Sequence, residues 1–173
     1  MRRRDEAAFE DFARARSQDL MRAALALTGD VSSAEDLVQS TLTRAYIKWA
    51  QVQAAGNPVA YVRTMQNRLF LDGVRKRSSR EIPVAEVPES GEAEDDVALR
   101  EAVLAALREL EPLDRVIVVQ RYLLDSDVAG VAAELQLTPQ AVRSRATRAL
   151  AKVRVALRAE TPHATRATRE GTS

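Results

Sequence analysis

Arg143, Arg145, Arg148, Lys152 and Arg154 fall within the stretch 138–158, which has no acidic residue. Unopposed guanidinium groups can hold phosphates and pair with guanine edges, so the chemistry they offer is recognition of nucleic acid. They need an element to aim them, and the surrounding sequence supplies it. Val128, Val131, Ala132 and Leu135 form the apolar stripe of a short helix over Val128–Leu135. Thr138 can cap a second helix through its hydroxyl, with Pro139 at the first helical position, where its missing N–H costs nothing. Ala129, Ala132 and Ala133 would let two helices cross closely, and Val142, Ala146, Ala149, Leu150 and Val153 turn inward. A helix, a tight turn and a basic second helix are the parts of a DNA-reading helix-turn-helix. The same residues could make an αα-hairpin with merely solvated cations, but unopposed arginines beside a well-capped helix favour the DNA reading.

Residues suited to catalysis are scarce. There is no cysteine, hence no disulfide framework, thiolate metal site or thiol nucleophile. The only histidine, His163, lies in a polar tail. Glu35 and Asp36 could serve as acid and base or as metal ligands, but acids in a first helical turn complement the helix dipole without any further role. No second acidic cluster of suitable spacing joins them, and Asp36 better suits contact with a basic partner protein. No catalytic residue, metal, cofactor or small-molecule substrate is expected.

Hydrophobic content of 46% supports a packed core, and aromatics at 4% with abundant Ala, Leu, Arg and Glu favour an all-α fold. No apolar run approaches the ~20 residues of a membrane span. The N-terminal MRRRDEAAFEDF is charged throughout and has no signal-peptide core, so a cytoplasmic protein is expected. The net charge of +1 conceals blocks of opposite sign. Residues 61–80 carry Arg63, Arg68, Arg75, Lys76, Arg77 and Arg80 against Asp72 alone. Residues 81–96 carry seven acids and no cation.

Apolar periodicity places a first helix over residues 5–28, with Phe9, Phe12, Ala13, Leu20, Ala24 and Leu27 inward and Gly29 as its stop. Ser32 and Glu35 match a capping box opening a second helix to about Ala50, with Leu37, Val38, Thr41, Leu42, Ala45 and Ile47 at apolar positions. Gln51 to Gly56 reads as a connection. Asn57-Pro58 starts a third helix to about Arg77, with Val59, Val62, Met65, Leu69 and Val74 on one side. This helix interleaves its cations with Tyr61, Asn67 and Phe70, a face able to hold a phosphate backbone and stack on an unpaired base. Cations near a helix C-terminus are also favoured by the dipole alone. Trp49 is expected in the core.

Pro83, Pro88, Gly91 and the acids of residues 81–96 give no apolar period and read as a flexible linker, extended by its like charges. Helical pattern resumes with Leu99, Val103, Leu107 and Leu110 on one stripe; Glu111-Pro112 breaks it, and Leu113–Leu124 is dense enough for burial on most sides. The polar residues 159–173 are expected to be disordered.

The run AEDLVQSTLTRAYIKW, then PVAYVRTMQNRLFLDGVRKR, an acidic linker, ALRELEPLDRVIVVQRYLLD and the helix-turn-helix together resemble the extracytoplasmic-function class of bacterial sigma factors, the specificity subunits of RNA polymerase. The pattern GD-x-x-x-AEDLVQ from Gly29 and the block NRLFLDGVRKR are its more specific parts, and the resemblance covers nearly all of residues 5–158.

The resemblance implies two small helical domains: a sigma-two bundle over 1–80 and a sigma-four helix-turn-helix domain over 97–158, joined by the linker. It implies core RNA polymerase and promoter DNA, duplex and melted, as partners, and an anti-sigma factor as a further one. Asp36, Leu37 and Gln39 would dock on the polymerase. Tyr61, Arg63, Asn67, Arg68, Asp72, Arg75 and Arg77 would serve the minus-ten element, and the loop Gln51–Asn57 would hold a flipped-out base. Thr138, Gln140, Arg143, Ser144, Arg145 and Arg148 would serve the minus-thirty-five element, with Arg145 and Arg148 on one edge of the helix and Arg143 nearer the other. The chain departs from the family at Gln140–Ser144, where a Gly-Thr-Val-Lys-Ser run is common, and at Val128-Ala129-Gly130. Gly130 should weaken its helix by about 1 kcal/mol relative to Ala.

Overall fold

The computed structural model describes residues 3–78 and 94–160, and every regular element among them is helical. Helix α1 (Arg3–Thr28) ends where Gly29 adopts φ +82° and donates its N–H to the Leu25 carbonyl (2.8 Å), as expected of a glycine stop. Helix α2 (Val31–Ile47) starts one residue later. Its cap is Asp30 rather than Ser32: the Asp30 carboxylate accepts from the Ser33 N–H at 2.8 Å. The left-handed turn at Gly29 delivers Asp30 in extended geometry directly onto the free N–H groups, which leaves Ser32 in the first turn and Glu35 just beyond it.

Helix α2 stops at Lys48, earlier than its pattern suggests, and a further short helix α3 (Trp49–Ala54) occupies most of the expected connection. Trp49 and Val52, three residues apart, are both buried and pin that turn to the bundle. Trp49 packs edge-on to Phe9 (5.3 Å between centroids) and beside Phe12 (5.4 Å), in the core as expected. The bend also throws Ile47 outward, 76% exposed. Helix α4 (Pro58–Ser78) begins as expected: the Asn57 side chain accepts from Ala60 N–H at 3.0 Å.

Helix α5 (Glu94–Arg108) starts inside the stretch expected as linker, and α8 (Pro139–Glu160) enters the expected tail. A helix outruns its buried stripe wherever no residue breaks it, and the next breaker after Glu160 is Pro162. The remaining linker and tail positions, 79–93 and 161–173, lie outside the described residues. Helix α6 (Pro112–Val118) passes into a π-helical turn (Val119–Leu123), in which Leu124 N–H reaches the Val119 carbonyl at 3.1 Å. The inserted residue rotates Tyr122 and Leu123 outward while Val116–Val119 stay buried. Leu99 is likewise 62% exposed rather than on the buried stripe of α5.

Helix α7 (Val128–Leu135) has the boundaries that its stripe predicts, and Asp127 caps it by accepting from Gly130 N–H at 2.7 Å. Gln136, at φ 56°, turns the chain, and Thr138 Oγ1 accepts from Ala141 N–H at 3.1 Å to open α8. Ile117, Val131, Ala132, Val142 and Ala146 form the small core of this unit.

The two helical blocks are not held apart. One buried cluster joins Leu27, Val52, Val62 and Phe70 of the first to Leu107, Leu110, Val116 and Ala149 of the second, with α1 against α5 and α6, and α4 against α6. Apolar stripes state how much surface a helix must bury but not against which neighbour, so this packing was not readable from the period alone.

Candidate nucleic-acid interface

Helix α4 needs one side for the bundle, and Val62, Met65, Gln66 and Phe70 take it. Gln66 is satisfied there, donating to the Leu20 carbonyl at 2.9 Å. Tyr61, Thr64, Arg68, Asp72 and Arg75, spaced three and four apart, therefore share another side. Two cations absent from the residues singled out above, Arg44 of α2 and Lys48 at its C-terminal cap, face this stripe. With Tyr61, Thr64, Met65, Arg68 and Asp72 they line a cleft of about 340 Å³. Their signal was their spacing of four on the outer side of α2. Tyr61 leans its hydroxyl toward Gln51 Oε1 (3.4 Å), and Asp72 is paired with Arg75 (3.3 Å). Three cations against one carboxylate, beside an aromatic ring, suit a phosphate and an unstacked base.

At the other end of the same helix pair, Asp36, Ser33 and Ser40 of α2 face Gly73, Lys76 and Arg77 of α4 across a second cleft of about 360 Å³. Asp36 and Gln39 are exposed, whereas Leu37 is buried. Leu37 thus belongs to the core and lines this cleft from beneath, beside Asp36. Arg63 is half-buried, and Arg75 and Arg77 are exposed.

Asn67 departs from expectation. It is 2% exposed and donates from Nδ2 to Glu134 Oε1 of α7 at 2.9 Å. Phe70 is also covered, with the Arg115 guanidinium 5.7 Å from its ring centroid. Neither lines the cleft of Arg44, Lys48 and Arg68, because the second block packs over this side of α4, whereas Phe70 borders the second cleft with Lys76 and Arg77.

On α8, Gln140, Arg143, Thr147 and Arg148 are exposed, with Thr138 just before them, and Ser144 is half-buried between. Arg148 Nε donates back to the Ser144 carbonyl (3.3 Å). Arg145 does not share their edge: its Nη1 meets Asp114 Oδ1 of α6 at 2.7 Å, a partly buried ion pair that braces α8 against α6. Among the described residues no group of three or more His, Cys, Asp or Glu could hold a metal, and no helix is long and apolar enough to cross a membrane.

A basic helical bundle carrying a capped helix-turn-helix defines a two-domain nucleic-acid reader. Residues 12–80 match Sigma-70 region 2, and residues 100–153 match Sigma-70, region 4. The RNA polymerase sigma-E factor of Streptomyces coelicolor is 32% identical over 148 residues, 84% of each chain. The ECF RNA polymerase sigma factor SigL of Mycobacterium tuberculosis is 32% identical over 149 residues, covering 80% of this chain and 82% of that one. Among solved structures, the sigma factor RpoE in complex with the anti-sigma factor NepR from Bartonella quintana superposes with a TM-score of 0.70 at 23% identity, over 87% of this chain and 97% of that one. CnrH in complex with the cytosolic domain of CnrY gives 0.62 at 22%, over 89% and 90%. The chain belongs to the RNA polymerase sigma factors, in their extracytoplasmic-function class.

Proposed function

We propose that this sigma factor binds core RNA polymerase through the Asp36–Gln39 edge of α2 and reads two promoter elements with its two domains. It acts in the cytoplasm and performs no catalysis of its own. The cleft between α2 and α4 carries this reading: Arg44, Lys48 and Arg68 surround Tyr61 and Thr64 in a space large enough for one nucleotide. There the minus-ten strand is held once its bases leave the stack, where ring stacking and phosphate charge matter more than base-edge pairing. Gln140, Arg143 and Arg148 address the minus-thirty-five duplex in the major groove, and Thr138 fixes the start of their helix. Arg145 acts through Asp114 as a positioning residue.

An apolar groove of about 610 Å³ between the blocks, lined by Leu25, Leu99, Val103, Tyr122 and Leu123 among others, suits an apolar helix of an anti-sigma partner. RpoE, which shares this fold, is solved in complex with an anti-sigma factor, NepR, and that supports an anti-sigma protein as the class of partner.

Run-off transcription with purified core polymerase and a promoter library tests the whole reading. Specific transcripts that need both protein and core enzyme are expected. Tight, specific duplex binding by the chain alone, with no gain from core polymerase, would instead make it a free-standing DNA-binding regulator.

A further inference from the structure

The apolar pattern of α2 counts Ile47 among its inward positions, yet the structure places it in water. It is the most exposed large apolar side chain among the described residues, at 76%. Ala45 of the same helix is fully buried, and at ~100° per residue Ile47 points roughly 200° round the helix from it. Trp49 and Val52, both buried, fix the chain just beyond Ile47. The exposure is therefore built into the fold and does not come from a loose helix end.

Single apolar residues on a surface are common and by themselves mean nothing. The place of this one carries the weight. Arg44, three residues before it, and Lys48, next to it, line the cleft that also holds Tyr61 and Arg68. Side chains three apart on a helix are neighbours, with Cβ atoms roughly 5–6 Å apart. Successive phosphates and bases of one strand advance by ~3.4 Å along the duplex. A strand whose phosphate meets Arg44 thus brings Ile47 within about two base steps of that phosphate.

An aliphatic side chain offers nothing to a phosphate and no hydrogen bond to a base edge. Against a base stack it has one use, as an apolar wedge that enters a step, replaces lost stacking contact and resists reclosure. The cations beside it hold the backbone while it does so. We propose that Ile47 is the wedge of strand opening, entering the base step beside the one that empties when a minus-ten base turns into the cleft. The cleft stores the displaced base, and Ile47 keeps its former neighbours from restacking. The inference rests on the reading of the α2–α4 cleft as the minus-ten site. It asks for apolar bulk at position 47, not for one particular shape.

The test uses holoenzyme made with the full chain, on a promoter selected by run-off transcription. Because Ile47 is so exposed, Ile47→Ser should fold and bind core polymerase as the parent does. On duplex promoter it should slow strand opening about tenfold, which is one average stacking step converted to a rate ratio. The readout is 2-aminopurine in the minus-ten strand, whose fluorescence rises as its neighbours unstack. On a template with a pre-opened minus-ten bubble Ile47→Ser should match the parent, because no step is left to wedge. Ile47→Leu keeps an apolar side chain of the same size and should open duplex promoter at close to the parental rate. Opening by Ile47→Ser at the parental rate would overturn the proposal. So would an equal loss on both templates, which marks a strand contact, or a loss that follows weaker core binding, which marks a polymerase contact. Arg68→Ala, inside the cleft, should instead lose affinity for the bubble template as well. Arg44→Ala and Arg68→Ala holoenzymes that bind the bubble like the parent would overturn the cleft reading itself, and the wedge with it.

Discussion

At Gly29 two demands meet in one residue: a backbone at φ +82° and a neighbour, Arg108, packed where a side chain would begin. Gly29→Ala is expected to cost ~1–2 kcal/mol from the left-handed backbone alone, with displacement of Arg108 added, and urea unfolding measures it. Gly130 is the opposite case. Its φ is ordinary, and an added Cβ would meet nothing nearer than Asp127 Oδ1 at 3.4 Å, an ordinary contact. Gly130→Ala should therefore stabilise the protein by about 0.5–1 kcal/mol, seen as a raised urea midpoint at unchanged slope. Asp36 is exposed and makes no cap of its own, so Asp36→Arg should leave helical ellipticity nearly unchanged while weakening core-polymerase binding. Equal affinity of mutant and parent would remove Asp36 from the interface. These residues differ in legibility. Gly29 announced itself as a stop by its place after an apolar stripe, but its closeness to Arg108 joins positions 79 apart in sequence, which no local pattern encodes. Leu37 and Asp36 stand together in the motif and line one cleft, but that the first is buried and the second exposed depends on where α4 packs.

The helix-turn-helix was the most legible element because its signals are local: a four-residue stripe, a threonine cap and a proline at N1. Removing the cap by Thr138→Ala should cost about 1 kcal/mol and fray the start of α8, where Gln140 and Arg143 sit. Faster amide exchange over 140–142 is the measurement. Along the same helix, Arg143→Ala or Arg148→Ala should reduce holoenzyme affinity for a minus-thirty-five duplex by ~1–3 kcal/mol where a base edge is read. For a phosphate contact the expected change is instead a salt slope lower by about one. Arg145→Ala should act differently, lowering stability by leaving Asp114 half-buried without its partner, while salt slope and base preference hold. Equal effects of all three on base preference would refute the division. Two elements escaped the sequence reading for opposite reasons. Helix α3 is only six residues long, too short to show a period, and the π-helical turn sits in an apolar run where any register looks buried.

For the whole molecule, the charge blocks and the two helical halves were plain in the sequence, whereas their mutual packing was not. Arg115 reads locally as one cation in an apolar run, yet it spans the two domains; burial, with Arg108 nearby, depresses its pKa below the usual guanidinium value. Nothing in its neighbours' identities names Leu27 as its acceptor, 88 positions away. The same holds for Arg44 and Lys48, whose worth depends on α4 running alongside α2. What one sequence discloses reliably is which surfaces are apolar or charged, and the pairing of surfaces comes from the tertiary fold.

The setting of Trp49 turns the protein into its own fluorimeter. It is the chain's one tryptophan, buried against Phe9 and Phe12 inside the first block, so emission excited at the red edge, where tyrosine does not absorb, follows that half alone. Far-ultraviolet ellipticity follows every helix of both halves. Because Leu27 and Phe70 share a buried cluster with Leu110 and Val116, the two signals should lose their native values at one urea concentration, as a single cooperative unit does. Weakening the seam by Arg115→Lys should pull the curves apart, and the distance between their midpoints then gauges how firmly one half of the molecule props up the other.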